Sequence, residues 1–104
     1  MPTLETALAY LGIDYADTLV ENNVSRALKT AWQLVLGAVG EDVETYLPSD
    51  PRVEELTLIY LDDLYSERGV SAKASNAVRR LVSSMELQLR VELARKKESE
   101  SDGV

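Results

Sequence analysis

The chain has 104 residues, 45% of them hydrophobic and 28% charged, which fits one small globular domain with a single core and is too apolar for a wholly disordered chain. It contains no Cys and no His, so disulfides, thiolate or imidazole metal sites, Cys nucleophiles and His-based triads are excluded. Its formal charge of -7 argues against generic binding to a phosphate backbone, because that affinity comes from Lys and Arg displacing counterions.

The opening Met1-Pro2-Thr3-Leu4-Glu5 has no basic n-region, and no run approaches the roughly 18 apolar residues of a membrane span. A soluble, unexported protein is the expectation. A short first helix capped by Thr3 places Leu4, Leu8 and Leu11 on one side and stops at Gly12. A longer helix starts at Asp17 or Thr18, with Val20, Val24, Ala27, Leu28, Ala31, Val35 and Ala38 as its apolar stripe. Trp32, Leu36 and Val39 widen that stripe. Trp32 reads as a core anchor, and Gly37 and Gly40 as a fraying end.

Residues 40–50 lack periodicity and carry acids and a Pro, so an exposed loop is expected there. Asp50 before Pro51 is an N-cap followed by a first-turn proline, with Glu54 and Glu55 where negative charge suits the helix dipole. The helix that follows runs to about Arg68, stopped by Gly69. Val53, Leu56, Tyr60 and Leu64 form one stripe and Leu58, Leu61 and Tyr65 another, leaving Asp62, Asp63 and Glu67 as an acidic ridge. So broad an apolar surface marks the central helix, buried inside the monomer or partly between subunits. After a loop over 69–75, Ser71 or Ser75 caps a last helix reaching about Arg95. Its main face is Val78, Leu81, Val82, Met85, Leu89 and Leu93, widened by Leu87, Val91 and Ala94. The expected architecture is an all-α compact bundle of about four helices over 1–94, followed by a disordered charged tail over 95–104.

Charge is unevenly distributed. Residues 41–67 hold nine acids against Arg52 alone, a net -8, whereas residues 68–97 hold eight bases against Glu86 and Glu92, a net +6. These blocks either pair within one subunit or, on opposite sides, join copies head to tail in a ring. No catalytic, cofactor or metal site is legible. The doublets Glu54-Glu55 and Asp62-Asp63 point about 100° apart on a helix, and Glu41, Asp42, Glu44 and Asp50 lack the central Gly of a calcium loop. The isolated glycines form no phosphate-binding loop. Arg79-Arg80 is the best DNA-contacting candidate, but no Asn or Gln accompanies it on the early exposed face.

Four runs occur in order along the chain: Leu4-Glu5-Thr6-Ala7-Leu8-Ala9-Tyr10-Leu11-Gly12-Ile13-Asp14, with an "L-x-I-D" exit; Leu36-Gly37-Ala38-Val39-Gly40; Pro51-Arg52-Val53 leading into Leu58 to Gly69, with "Y-x-x-R" at Tyr65 to Arg68; and Leu87-Gln88-Leu89-Arg90, with "Q-L-R". Together they resemble the small helical head-tail connector (adaptor) proteins of tailed bacteriophages and prophages, often labelled phage DNA-packaging proteins. One branch of that family follows "Q-L-R" with Gly, where this chain has Val91 and continues as a helix. The resemblance implies a non-enzymatic structural protein made in the host cytoplasm and placed in the virion at the head-tail interface. It implies a homo-oligomeric ring under the portal protein that extends the DNA channel and docks the tail or stopper protein. DNA would pass without sequence-specific binding, and no cofactor, membrane or small-molecule substrate is implied. For the ring contact, Asp62, Asp63 and Glu67 are expected to face Arg79, Arg80 or Arg90 of a neighbour. The alternative is a small helical dimer with a regulatory or DNA-binding role through Arg79 and Arg80.

Overall fold

The computed structural model describes residues 1–15, 17–65 and 76–102, with side chains to Ser99 on the last helix beginning at Arg79. Glu67, the Gly69 stop, the 69–75 loop with both Ser caps and the side chain of Val78 lie outside the described residues. The fold is all-α, with α1 (Leu4–Tyr10), α2 (Thr18–Val39), α3 (Val43–Tyr46), α4 (Pro51–Tyr65) and α5 (Asn76–Asp102).

The starts follow from side-chain chemistry. Thr3 Oγ1 accepts the Thr6 amide at 3.1 Å and Asp17 Oδ1 accepts the Val20 amide at 2.9 Å, each satisfying an orphan donor of a first turn. Asp50 Oδ1 accepts the Arg52 amide at 2.9 Å, and Pro51 opens α4 without needing a partner for its nitrogen. α1 ends where Gly12 adopts φ +75° and the Ile13 amide reaches back to the Leu8 carbonyl at 2.9 Å. Gly37 lies inside α2, exposed, rather than at a frayed end. The helix continues through Val39 and stops at Gly40, whose φ is +146°.

α2 and α4 run antiparallel, and their shared face divides into two core clusters. One end joins Val35 and Val39 to Val53 and Leu56 under Met85, Leu89 and Leu93 of α5. The other joins Val24, Leu28 and Ala31 to Leu58 and Leu61, closed by Ala7 of α1. α2 and α4 each touch α1, α5 and one another, so the centre of the bundle is shared by the two helices. Thr57 is fully buried on it and donates its hydroxyl to the Val53 carbonyl at 2.8 Å, so no polar atom is stranded.

Two expectations about burial are corrected. Residues 40–50 are not simply an exposed loop, because α3 forms within them and Val43 and Leu47 are buried against the α5 cluster. Val43, Tyr46 and Leu47 stand at i, i+3 and i+4, a single helical turn too short to register as periodicity. On α5, Val82, Met85, Leu89 and Leu93 pack inward as expected, but Leu81, Leu87, Val91 and Ala94 are exposed. The other described helices lie along one side of α5, so its second apolar face is exposed among the described residues.

α5 also runs to Asp102, past the expected end near Arg95. Lys96, Lys97 and Glu98 favour helix, while no described residue after Leu93 is buried, so the extension adds nothing to the core. Its one described tie is Lys97 Nζ to Asp42 Oδ2 at 3.0 Å. The resulting molecule is elongated, 50 × 31 × 17 Å. No described helix is long and apolar enough to cross a membrane.

Candidate assembly surfaces

The expected acidic ridge is divided between two sides of α4. Asp62 and Asp63 are both exposed, but the helical turn of about 100° per residue sends them to different neighbours. Asp62 and Glu55 lie near Tyr10 of α1; burial raises the Tyr10 phenol pKa, and the two carboxylates raise it further. Asp63 lies instead near Tyr60, whose phenol donates to Glu86 on α5. That phenol is pushed up to about 12, first by burial and then by the Glu86 bond and the nearby Asp63 charge.

The three arginines also separate. Arg79 and Arg80 are exposed at the start of α5, and neither has an ion pair among the described residues. Arg90 Nη1 donates to the Ala38 carbonyl at 3.1 Å, placing positive charge at the carbonyl end of α2. Arg90 therefore ties α5 to the end of α2 within the chain. The described ion pairs join neither Asp63 to Arg79 nor Asp63 to Arg80.

Arg52 is the organising charge that the sequence pattern did not single out. Its Nε and Nη2 donate to the two Asp50 oxygens at 3.1 and 2.8 Å, while Nη1 donates to Glu92 at 2.6 Å and to Gln88 at 3.3 Å. One planar guanidinium thus joins the cap of α4 to α5. The local signal was a base two residues after a capping Asp; its second partner is 40 residues away in sequence. This also explains the run Leu87-Gln88-Leu89-Arg90, in which Gln88 meets Arg52, Leu89 is fully buried and Arg90 meets α2. Leu87 is exposed and has no partner among the described contacts of this run.

These pairs use the minority charge of each block. Arg52, the single base of 41–67, is bound to Glu92, and the Glu86 carboxylate of the basic block accepts from Tyr60. The Lys97–Asp42 pair is the described bridge between the majority charges. Glu54, Glu55 and Asp63 are exposed on α4, and Arg79 and Arg80 are exposed at the start of α5.

Arg52 holds the Asp50 and Glu92 carboxyls below the usual carboxylate range through its hydrogen bonds, and Lys97 does the same for Asp42. Carboxylates with depressed folded-state pKa values contribute stability above their unfolded values and lose it as pH falls through the folded ones. The melting temperature is therefore expected to hold between about pH 8 and pH 5 and to decline below about pH 4. Arg52→Met should flatten the acid limb, because it releases Asp50 and Glu92 together. Thermal melts from neutral to acid pH check this, and an identical acid limb in both proteins would refute it.

Beside Trp32, Met1, Pro2, Leu47, Asp50 and Val53 border a depression of about 240 Å³. It is half open and smaller than ordinary ligand pockets of about 300–1,000 Å³. Trp32 itself is half-buried against the α5-side cluster, as a core anchor would be. Among the described residues no three acidic side chains converge as metal ligands would. No family model, no curated protein and no solved structure matches the chain.

Proposed function

We propose that the chain is the protomer of a head-tail connector of a tailed bacteriophage or prophage. It is a structural protein rather than an enzyme: copies form a ring under the portal, extend the DNA channel and present a platform for the tail or stopper. The observation that carries this reading is the placement of exposed charges of opposite sign on different helices. Arg52 and Glu92 neutralise each other, Arg79 and Arg80 are exposed on α5, and the acids of α4 are exposed on a different helix. Unlike surfaces of opposite sign favour heterologous contacts, which close into rings when their rotation permits. An acidic chain also suits a channel through which DNA must slide without its phosphates being held.

Native mass spectrometry across salt and concentration tests the assembly. A ring that dissociates as salt rises is the expected result, formed either by the free chain or after adding a portal ring as template. Arg79→Glu with Arg80→Glu should lower ring yield about tenfold or more, with partial recovery when Asp62→Lys and Asp63→Lys are added. Assembly unchanged in both variants would refute the pairing. A stable dimer that binds duplex DNA through Arg79 and Arg80 would replace the connector reading by a regulatory one.

A further inference from the structure

α5 has an outward face that the other described helices leave uncovered. Opposite the buried row of Met85, Leu89 and Leu93, Leu87 is 56% exposed and Val91 is 43% exposed, with Ser84 and Ala94 also exposed. Scattered apolar residues on a surface need no explanation. These four, however, are spaced three, four and three residues apart, the repeat of a seam that packs along another helix. Val91 occupies the a-type position and Leu87 the d-type position of that seam. Because α5 is already anchored by its other side, the seam stands on a supported helix and is presented without any rearrangement.

The charges beside the seam define what can lie on it. Arg90 borders one edge and Arg95 the other, both exposed. The two acids of this stretch, Glu86 and Glu92, are turned toward α4, where they meet Tyr60 and Arg52. Lys97, further along the Arg90 edge, is engaged by Asp42. The outer half of α5 between Arg79 and Arg95 therefore carries arginines and no acid.

A second α5 is a poor occupant. In a parallel pair, Arg90 of one copy would lie beside Arg95 of the other; in an antiparallel pair, each edge would face its own like-charged counterpart. Both orientations place positive charges together across an apolar seam, which disfavours the pair. An apolar helix bordered by carboxylates satisfies both seam and edges. We infer that the outer face of α5 is a docking site for an amphipathic helix of a different protein, apolar along its seam and acidic at its flanking positions. The contact is of the helix-in-groove kind, with Leu87 and Val91 as anchors and Arg90 and Arg95 selecting the partner. Arg80, seven residues before Leu87, stands at the near end of the same face, and the docking of a different protein along Leu87 and Val91 goes beyond the ring reading and does not require it.

The test titrates the isotope-labelled full chain with a synthetic helix of three heptads, carrying Leu at both seam positions and Glu at both flanking positions. A control helix carries Lys at the flanks. Saturable NMR shifts confined to the outer face of α5 are expected with the Glu-flanked helix. Leu87→Ser with Val91→Ser should weaken binding about tenfold or more, and Arg95→Glu should weaken it for the Glu-flanked helix while improving it for the Lys-flanked one. The altered side chains are exposed, so unchanged melting curves verify that the fold persists. The proposal is overturned if the two helices bind alike, if the shifts map elsewhere, or if no saturation is reached at millimolar helix. It is also overturned if anionic vesicles, but not the Glu-flanked helix, bind this face. Native mass spectrometry of the Leu87→Ser, Val91→Ser chain separates this result from any failure of ring assembly.

Discussion

Leu89→Ala is expected to destabilise the protein by about 3–4 kcal/mol and to loosen α5 ahead of the rest of the fold. Leu89 is fully buried, and α5 is anchored by few apolar side chains: Met85, Leu89 and Leu93, with Val82 half-buried beside them. Removing the middle anchor leaves a cavity against Val35, Val39 and Leu56, where the surrounding helices are held by their own contacts and cannot collapse fully. The α2–α4 pair keeps its second cluster against α1, which contains no α5 residue. Amide exchange should therefore accelerate most in α5 and least around Leu28 and Leu61. Leu87→Ala, two residues earlier on the same helix, removes an exposed side chain and should change stability by no more than about 0.5 kcal/mol. Urea unfolding of both variants checks the contrast; equal losses would mean that Leu89 does not face the core while Leu87 faces solvent.

The second large effect is at the corner after α2. Gly40 has φ +146°, a conformation that L side chains rarely adopt, and a Cβ there would overlap Leu93 Cδ2. Gly40→Ala combines backbone strain of about 1–3 kcal/mol with displacement of a buried Leu side chain, and a total loss of about 2–4 kcal/mol is expected. Gly37 provides the internal comparison. It lies within α2 at an exposed position, where an added methyl group would meet nothing within 4 Å, so Gly37→Ala should stabilise by about 0.5–1 kcal/mol. Thermal melts of the two single variants thus test opposite signs for one substitution, three residues apart. A neutral Gly40→Ala would show that the corner relaxes, and that the close approach to Leu93 is not needed to seat α5.

Legibility differed from element to element. The caps at Thr3, Asp17 and Asp50 were readable because a cap is a bond between residues two or three apart. The stripes of α2 and α4 were readable because a central helix buries several faces, so most of its apolar residues find cover. α3 was not, since one turn provides too few residues to show a period, and its burial depends on α5 closing over it. The candidate surface was only partly legible. Charge segregation was visible as a count, but Arg52 joining Glu92 and Arg90 reaching Ala38 are contacts across 40 and 52 residues that no local pattern encodes. They tie Arg90 to the end of α2 while its charge stays exposed, and they involve neither Arg79 nor Arg80.

What the sequence by itself determined is the all-α class, most helix starts and the opposed charges of its middle and last thirds. Hydrogen bonding of caps, helical periodicity and net charge act over a few residues or do not depend on position at all. Only the tertiary structure decided that the residues widening the main face of α5 are surface, and that Asp62 and Asp63 serve different sides of α4. Burial is a relation between elements: an apolar stripe states that a helix can be covered, and the placement of α2, α3 and α4 on one side of α5 determines which stripe is.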